Sequence, residues 1–208
     1  RFLKATIDVM HTNENLNNSF FSKEVVDECV DSIKNTPVLG YVEYDKYTRE
    51  SDFKGHEYVI KRIDNGVEKM YAGRAYGVIP EACNPRWTMK MCDDGVEREF
   101  LQVDALLWEK FSDATGILKR DGEKAESMEL EVSSFEGYDD EDDGLFHVTS
   151  FRFDGACILG DGAQPAMTGA SINVNFSVKD FVESLQSELN DKFTTFSKLI
   201  NEQNVQGG

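Results

Sequence analysis

Alternating apolar and polar residues recur along most of the chain and predict a strand-rich domain. This period-two pattern is typical of strands with one buried face. Runs of small, polar or charged residues separate the alternating stretches and indicate turns between the strands. The predicted strands cover residues 4–10, 37–44, 57–61, 70–79, 99–108, 125–132 and 145–153.

Apolar residues at helical spacing predict three helices. The first spans residues 22–34, with Ser22 as its N-cap, and the second is a short helix over residues 110–119. From Ser177, apolar residues recur over about 24 positions, which predicts a long amphipathic helix and then a polar tail at 201–208. The chain is therefore predicted to divide into a domain at 1–172 and a C-terminal helix and tail at 173–208.

Composition narrows the classes of function. The formal net charge of −17 argues against nucleic-acid binding, because the phosphate backbone repels so acidic a surface. No run of about eighteen apolar residues is present, so no membrane-spanning helix is expected. The four cysteines form no Cys-x-x-Cys pair, which favours reduced thiols in an intracellular protein over a structural zinc site.

Only three histidines are available for acid–base chemistry: His11, His56 and His147. His56 follows Gly55 where a polar loop meets a strand, a position at which functional residues concentrate. Ser127 lies in the middle of a strand whose alternation places it on one face with Glu129 and Glu131. Taken singly, a surface histidine and a solvent-facing serine are the simpler interpretations.

A hairpin register links Ser127 to a third residue. If its strand pairs with the next one across the acidic loop centred near residue 140, Ser127 faces residue 153 or 154. Asp154 would then lie close to Ser127, whereas His147 would lie nearer Ser133. The register favours Asp154 over His147 and leaves both open.

Three stretches, taken in order, resemble a known family. They are Gly55-His56-Glu57, residues 126–130, and residues 151–159 continuing to Pro165-Ala166. The sequence resembles the prohead maturation proteases of tailed phages, relatives of the herpesvirus capsid-assembly proteases, over residues 4–172. The resemblance implies an α+β fold with a strand-rich, antiparallel β-barrel-like core, a few flanking helices and the long C-terminal helix.

The resemblance also implies roles for individual residues. His56 matches the general base and Ser127 the nucleophile. The third member matches Asp154, as in the phage branch, or His147, as in the herpesvirus branch. The phage pattern more often has Glu where Asp154 stands. Arg152 is the position considered for an oxyanion donor.

The implied activity is that of a serine endopeptidase that needs neither metal nor cofactor. Its expected substrates are the scaffold protein, the major capsid protein and the protease itself, cleaved inside the procapsid in the host cytoplasm, and self-association is expected. The C-terminal segment would lead to a scaffold region. One alternative is a cysteine hydrolase using Cys157 with His147, and another is a non-catalytic phage head or scaffold domain with the same fold.

Overall fold

The structure is a computed structural model, and it describes residues 1–63 and 66–174. Residues Arg1–Val174 form one compact unit. The strands are β1 (Phe2–His11), β2 (Asn13–Glu14), β3 (Ser19–Phe21), β4 (Thr36–Gly40), β5 (Val42–Asp45), β6 (Glu50–Phe53), β7 (Tyr58–Ile63), β8 (Gly66–Tyr71), β9 (Arg74–Ile79), β10 (Arg86–Met91), β11 (Glu97–Trp108), β12 (Glu123–Leu130), β13 (Glu136–Asp139), β14 (Phe146–Ser150), β15 (Phe153–Ile158) and β16 (Ser171–Val174).

Seven of these strands form a closed barrel in the order β1-β16-β12-β15-β4-β9-β11, and β11 pairs back onto β1. β10 adds to the other side of β11 as an eighth strand. β15 and β4 run parallel, and the other barrel pairs are antiparallel. The predicted strand-rich, barrel-like core is therefore confirmed, and closure leaves the seven barrel strands without a free edge.

The core follows from the alternation along these strands. Ile7 lies opposite Val103 on β11 and opposite Ile172 on β16, and all three side chains are completely buried. Because successive side chains point to opposite faces of a strand, such registered triplets build one continuous apolar layer.

Within the part of the chain that the structure describes, two α-helices flank the barrel. α1 (Lys23–Cys29) begins where the Ser22 side chain accepts a hydrogen bond from the Val25 amide, as the predicted N-cap requires. A 3-10 turn then continues to Ile33, so the predicted helix tightens in its second half. α2 (Ser112–Asp121) covers the barrel with buried residues that include Ile117 and Leu118.

Two predicted strands are each divided in the structure. The run 37–44 gives β4 in the barrel and β5 in a separate hairpin with β6. The run 70–79 contains the end of β8, which pairs with β7 in a separate hairpin, and then β9 in the barrel. Alternation continues across both junctions, so the hydrophobic pattern does not reveal where the chain leaves the barrel.

The predicted hairpin of the Ser127 strand is wrong. The acidic loop at residues 140–144 joins β13 to β14, which belong to a separate four-stranded sheet. β12 instead pairs with β15, and Ser127 lies opposite Cys157 rather than residue 153 or 154. A 3-10 turn at Val132–Ser134 and the strands β13 and β14 lie between β12 and β15. The predicted register is wrong because it assumes a single loop between the two paired strands.

The last barrel strand ends at Val174. The predicted C-terminal helix from Ser177 and the polar tail to Gly208 lie outside the described residues. Within residues 1–63 and 66–174, no helix is both long and apolar enough to cross a membrane.

Candidate active site

The candidate site is built on one face of the β12–β15 pair. Ser127 lies directly opposite Cys157, and Glu129 lies opposite Gly155. Residues two apart on a strand share a face, so Ser127, Glu129 and Cys157 point to the same side of the sheet. The barrel therefore fixes a hydroxyl, a carboxylate and a thiol as close neighbours.

His56 reaches this face from a loop that is held against the barrel. The Gly160 amide donates to the Lys54 carbonyl, and a Cβ atom at Gly160 would lie 1.7 Å from the Phe53 carbonyl oxygen. Only glycine permits this close approach of the two backbones. The Ala72 amide donates to the Glu57 carbonyl and closes the base of the β7–β8 hairpin beside His56.

A hydrogen bond of 3.0 Å joins His56 Nδ1 to Glu129 Oε1. The Tyr71 hydroxyl donates to the same carboxylate oxygen over 3.3 Å and lies 3.5 Å from Cys157 Sγ. Both His56 and Tyr71 therefore come from the base of the β7–β8 hairpin. His56 lies just before β7, and Tyr71 is the last residue of β8. A carboxylate bound to Nδ1 orients the imidazole and leaves Nε2 available for proton transfer.

Electrostatics favour the protonated imidazole in this resting arrangement. The pKa of His56 is raised to about 10, first by its interaction with Cys157 and then by the hydrogen bond to Glu129, against the opposing effect of burial. Burial, Cys157 and Glu129 all raise the pKa of Tyr71, so its hydroxyl stays protonated. The free site therefore holds a proton on His56 at neutral pH.

Ser127 lies where two cavities meet. One, of about 400 Å³, is lined by His56 together with Ser127, and the other, of about 220 Å³, contains Ser127, Met128 and Leu130. Asn17 and Ala166 also line both cavities. No hydrogen bond joins Ser127 to His56 in the described chain, and such bonds are commonly long before substrate binds.

The predicted third members of the triad are not beside His56. A bulge in the β12–β15 ladder leaves Asp154 without a partner on β12, and its side chain is exposed. His147 lies on β14, where Nε2 is 2.8 Å from Asp143 Oδ2 and the ring stacks on Phe20. The carboxylate that is hydrogen-bonded to His56 is that of Glu129.

The structure also locates Arg152 and Cys157, the other residues considered for catalysis. Arg152 is exposed and its Nε lies 3.3 Å from Glu131 Oε2, so its guanidinium is engaged by a neighbouring carboxylate. Cys157 does not meet His147, because these residues belong to different sheets. The histidine near Cys157 is His56.

The alternation that places Glu129 on the face of Ser127 is the sequence signal for its contact with His56, whereas the incorrect hairpin register favours Asp154. Tyr71 gave no signal, because the long predicted strand 70–79 hid the junction at which it lies.

Behind Ser127, the adjacent Glu126 points to the opposite face and lies across from the fully buried Ile158. Glu126 is completely buried, and neither carboxylate oxygen has a hydrogen-bond partner among the described residues. Burial raises the pKa of Glu126 well above its usual value, with the neighbouring Cys157 adding to the effect. Burial therefore favours the neutral, protonated form of this side chain.

A buried ammonium group anchors the loops around the site. Lys124 Nζ lies 2.8 Å from Asp52 Oδ1, 2.8 Å from Asp121 Oδ2 and 2.7 Å from Asp161 Oδ1. Asp52 lies on β6, just before the loop that carries His56, and Asp161 lies in the loop after β15 that lines the cleft. Lys124, whose side chain is 2% exposed, therefore joins both loops to β12.

Comparison with known proteins identifies a family for the chain but gives no reaction or ligand. No curated protein and no solved structure matches the chain. A family model described as the YonD N-terminal domain matches residues 1–196, which includes the whole barrel and every residue of the candidate site. The chain therefore belongs to the YonD N-terminal domain family.

Proposed function

We propose that the protein is a serine endopeptidase in which Ser127 is the nucleophile, His56 the general base and Glu129 the residue that orients the base. The observation that carries the proposal is the 3.0 Å hydrogen bond from His56 to Glu129 at the wall of a cleft that Ser127 also lines. A hydroxyl, a histidine and a carboxylate in this arrangement are the parts that acyl transfer requires.

In the proposed reaction, Ser127 Oγ attacks the substrate carbonyl carbon while His56 Nε2 accepts the hydroxyl proton. The tetrahedral intermediate collapses when His56 returns that proton to the leaving amine, which breaks the peptide bond and leaves an ester on Ser127. Water then attacks the ester carbonyl carbon while His56 accepts a proton from it. His56 returns that proton to Ser127 Oγ as the ester bond breaks, which restores the hydroxyl and releases the carboxylic acid product. Glu129 accepts from Nδ1 throughout and stabilises the imidazolium form.

The oxyanion requires donors that are not already occupied. In the described chain, the backbone amides of Gln164 and Ala166 donate no hydrogen bond, and both residues line the cleft with Ser127 and His56. Both lie on the loop that Lys124 anchors through Asp161. These two amides replace Arg152 as the proposed oxyanion donors.

Accessibility favours Ser127 over Cys157 as the nucleophile. Cys157 is completely buried beneath the Tyr71 hydroxyl, whereas Ser127 is half-buried and lines both cavities. An extended peptide occupies space on both sides of its scissile bond, and Ser127 lies between two such spaces. Cys157 meets no substrate until Tyr71 moves.

The proposed substrates come from the sequence resemblance to the phage prohead proteases, relatives of the herpesvirus capsid-assembly proteases. The closed, strand-rich barrel supports this assignment, whereas the position of Glu129 on the Ser127 strand departs from the family pattern. We therefore propose cleavage of scaffold and major capsid proteins, and of the chain itself, within an assembling procapsid in the host cytoplasm, with self-association of the protease.

Covalent labelling tests the site without knowledge of the cleavage motif. A fluorophosphonate probe should modify wild-type protein at alkaline pH, and peptide mapping should locate the adduct on Ser127. Ser127→Ala should abolish labelling, while Ser133→Ala, a change at an exposed serine six residues away, should leave it intact. Equal labelling of all three proteins would reject Ser127 as the nucleophile.

A further inference from the structure

The side chains around His56 have a second capacity that peptide hydrolysis does not use. His56, Glu129 and Cys157 each present one ligand atom, and these three atoms lie within 4.8 Å of one another. A tetrahedral zinc ion holds sulfur at about 2.3 Å and nitrogen or oxygen at about 2.0–2.2 Å. Ligand atoms around such an ion are roughly 3.3–3.8 Å apart by these bond lengths, so modest side-chain rotations would close the site.

The donor set selects the kind of metal. A thiolate, an imidazole and a carboxylate together suit Zn²⁺, whereas Mg²⁺ and Ca²⁺ prefer oxygen ligands alone. A second group of acidic residues with His147, at Asp140 and Asp143, offers no sulfur. The chemistry therefore distinguishes the group at His56 from an ordinary cluster of surface carboxylates.

The barrel holds two of the three ligands in place before any metal arrives. Glu129 and Cys157 belong to the paired strands β12 and β15, and the residue opposite Glu129 is Gly155, which has no side chain to separate the ligands. Tyr71 lies within hydrogen-bond distance of both Glu129 and Cys157 and can support the ligands from outside. The cleft beside His56 gives a fourth position to water.

We propose that His56, Glu129 and Cys157 form a binding site for a thiophilic divalent cation, of which Zn²⁺ is the representative, and that the bound ion reversibly inhibits the protease. Binding exchanges the thiol proton of Cys157 and the ring proton of His56 for the metal. His56 then has no free lone pair with which to accept the proton of Ser127. The inhibitory role rests on the proposed function, whereas metal binding does not.

Cobalt substitution gives a readout that is independent of activity. Full-length protein stripped with a chelator should bind one Co²⁺ and develop a thiolate-to-cobalt charge-transfer band in the near ultraviolet. Ser127→Ala should keep the band, since Ser127 is no ligand. Cys157→Ser should lose it, while the matched control Cys29→Ser, at a partly exposed free thiol, should retain it.

Competition with a chromogenic chelator then gives the Zn²⁺ affinity. Changes in outer-shell partners typically weaken metal sites 10–100-fold, so Tyr71→Phe should weaken binding about tenfold. Glu129→Gln removes a charged ligand itself and should weaken binding by more than the upper end of that range, about 100-fold or more. Glu129→Gln also keeps the test decisive if Cys157→Ser does not fold, because it leaves the buried thiol in place. An unchanged affinity in folded Glu129→Gln protein would overturn the site.

The two proposals fail in different ways. If the cobalt band appears and depends on Cys157, but metal-free wild type cleaves nothing, then the metal site stands and its inhibitory role falls together with the protease. If metal-free protein cleaves substrate but shows no thiolate band, the protease stands and the metal site falls. A rate that rises on adding Zn²⁺ would contradict inhibition directly.

Discussion

The buried carboxyl group of Glu126, which precedes Ser127 on β12, tests how much an unpartnered polar group costs the stability of the barrel. Both of its oxygens lack hydrogen-bond partners in the described chain, and its side chain is completely buried. Burying such a polar group without a partner costs about 1–3 kcal/mol. Glu126→Met, an unbranched apolar replacement, should therefore stabilise the protein by about that amount at pH 5.

The same change should have a larger effect at higher pH. Because the pKa of Glu126 is raised in the folded state, the native protein binds a proton that the unfolded chain releases above its ordinary pKa. Wild-type stability should then fall by up to about 1.4 kcal/mol per pH unit between that ordinary pKa and the raised one. The advantage of Glu126→Met should grow by at most about 3 kcal/mol between pH 5 and pH 7.

Urea unfolding at pH 5, 6 and 7 measures both effects. Glu126→Gln is the informative companion, since it removes the ionisation but keeps a buried polar group, so its stability should lose this pH dependence without the gain of the Met variant. Glu136→Gln, at an exposed site on β13, should stay within about 0.5 kcal/mol of wild type at each pH. Identical pH dependence in wild type and Glu126→Met would refute a protonated, unpartnered carboxyl group.

Three further predictions concern the site. Glu129→Gln should lower the cleavage rate by about 100-fold or more, because His56 loses its orienting carboxylate. Asp154→Asn should stay within about twofold of the wild-type rate, and equal losses in the two variants would contradict the assignment of Glu129 rather than Asp154 as the orienting residue. Since the pKa of His56 is raised to about 10, cleavage by metal-free protein should increase with pH by up to about tenfold per unit through pH 8–9, and a plateau already reached near pH 7 would contradict that shift. Lys124→Met should destabilise the protein by about 2 kcal/mol in urea unfolding and reduce cleavage, since Asp52 and Asp161 lose their shared cation; an unchanged unfolding midpoint would show that Lys124 does not anchor these loops.

Most strands could be predicted from the sequence, because burial of one face imposes an alternation of apolar and polar residues along the chain. It predicted the Ser22 cap for a similar reason, since the cap bonds an amide only three residues away. Which strands pair with one another was harder to predict from the sequence. The register that joins Ser127 to Cys157 depends on the turn at Val132–Ser134 and on a separate sheet formed by β13 and β14, which no local pattern encodes.

The site shows the same division between local and distant information. Ser127 and His56 were identified from their order along the chain, and the structure places both at one cleft. Glu129 was visible as a neighbour on the same strand face, but its contact with His56 spans 73 positions and required the fold. Tyr71 and Cys157 lie beside Glu129 because the β7–β8 hairpin contacts the barrel. The spacing of these residues along the sequence does not predict that contact.

The central claim is that Ser127 is the nucleophile of an endopeptidase. Its most direct test is mass spectrometry of the products formed when the full-length protein is expressed with the capsid and scaffold proteins proposed as its substrates, for wild type, Ser127→Ala and Ser133→Ala. The account predicts new termini in the capsid and scaffold chains with wild type and Ser133→Ala, and intact chains with Ser127→Ala. The same new termini in the presence of Ser127→Ala would contradict it.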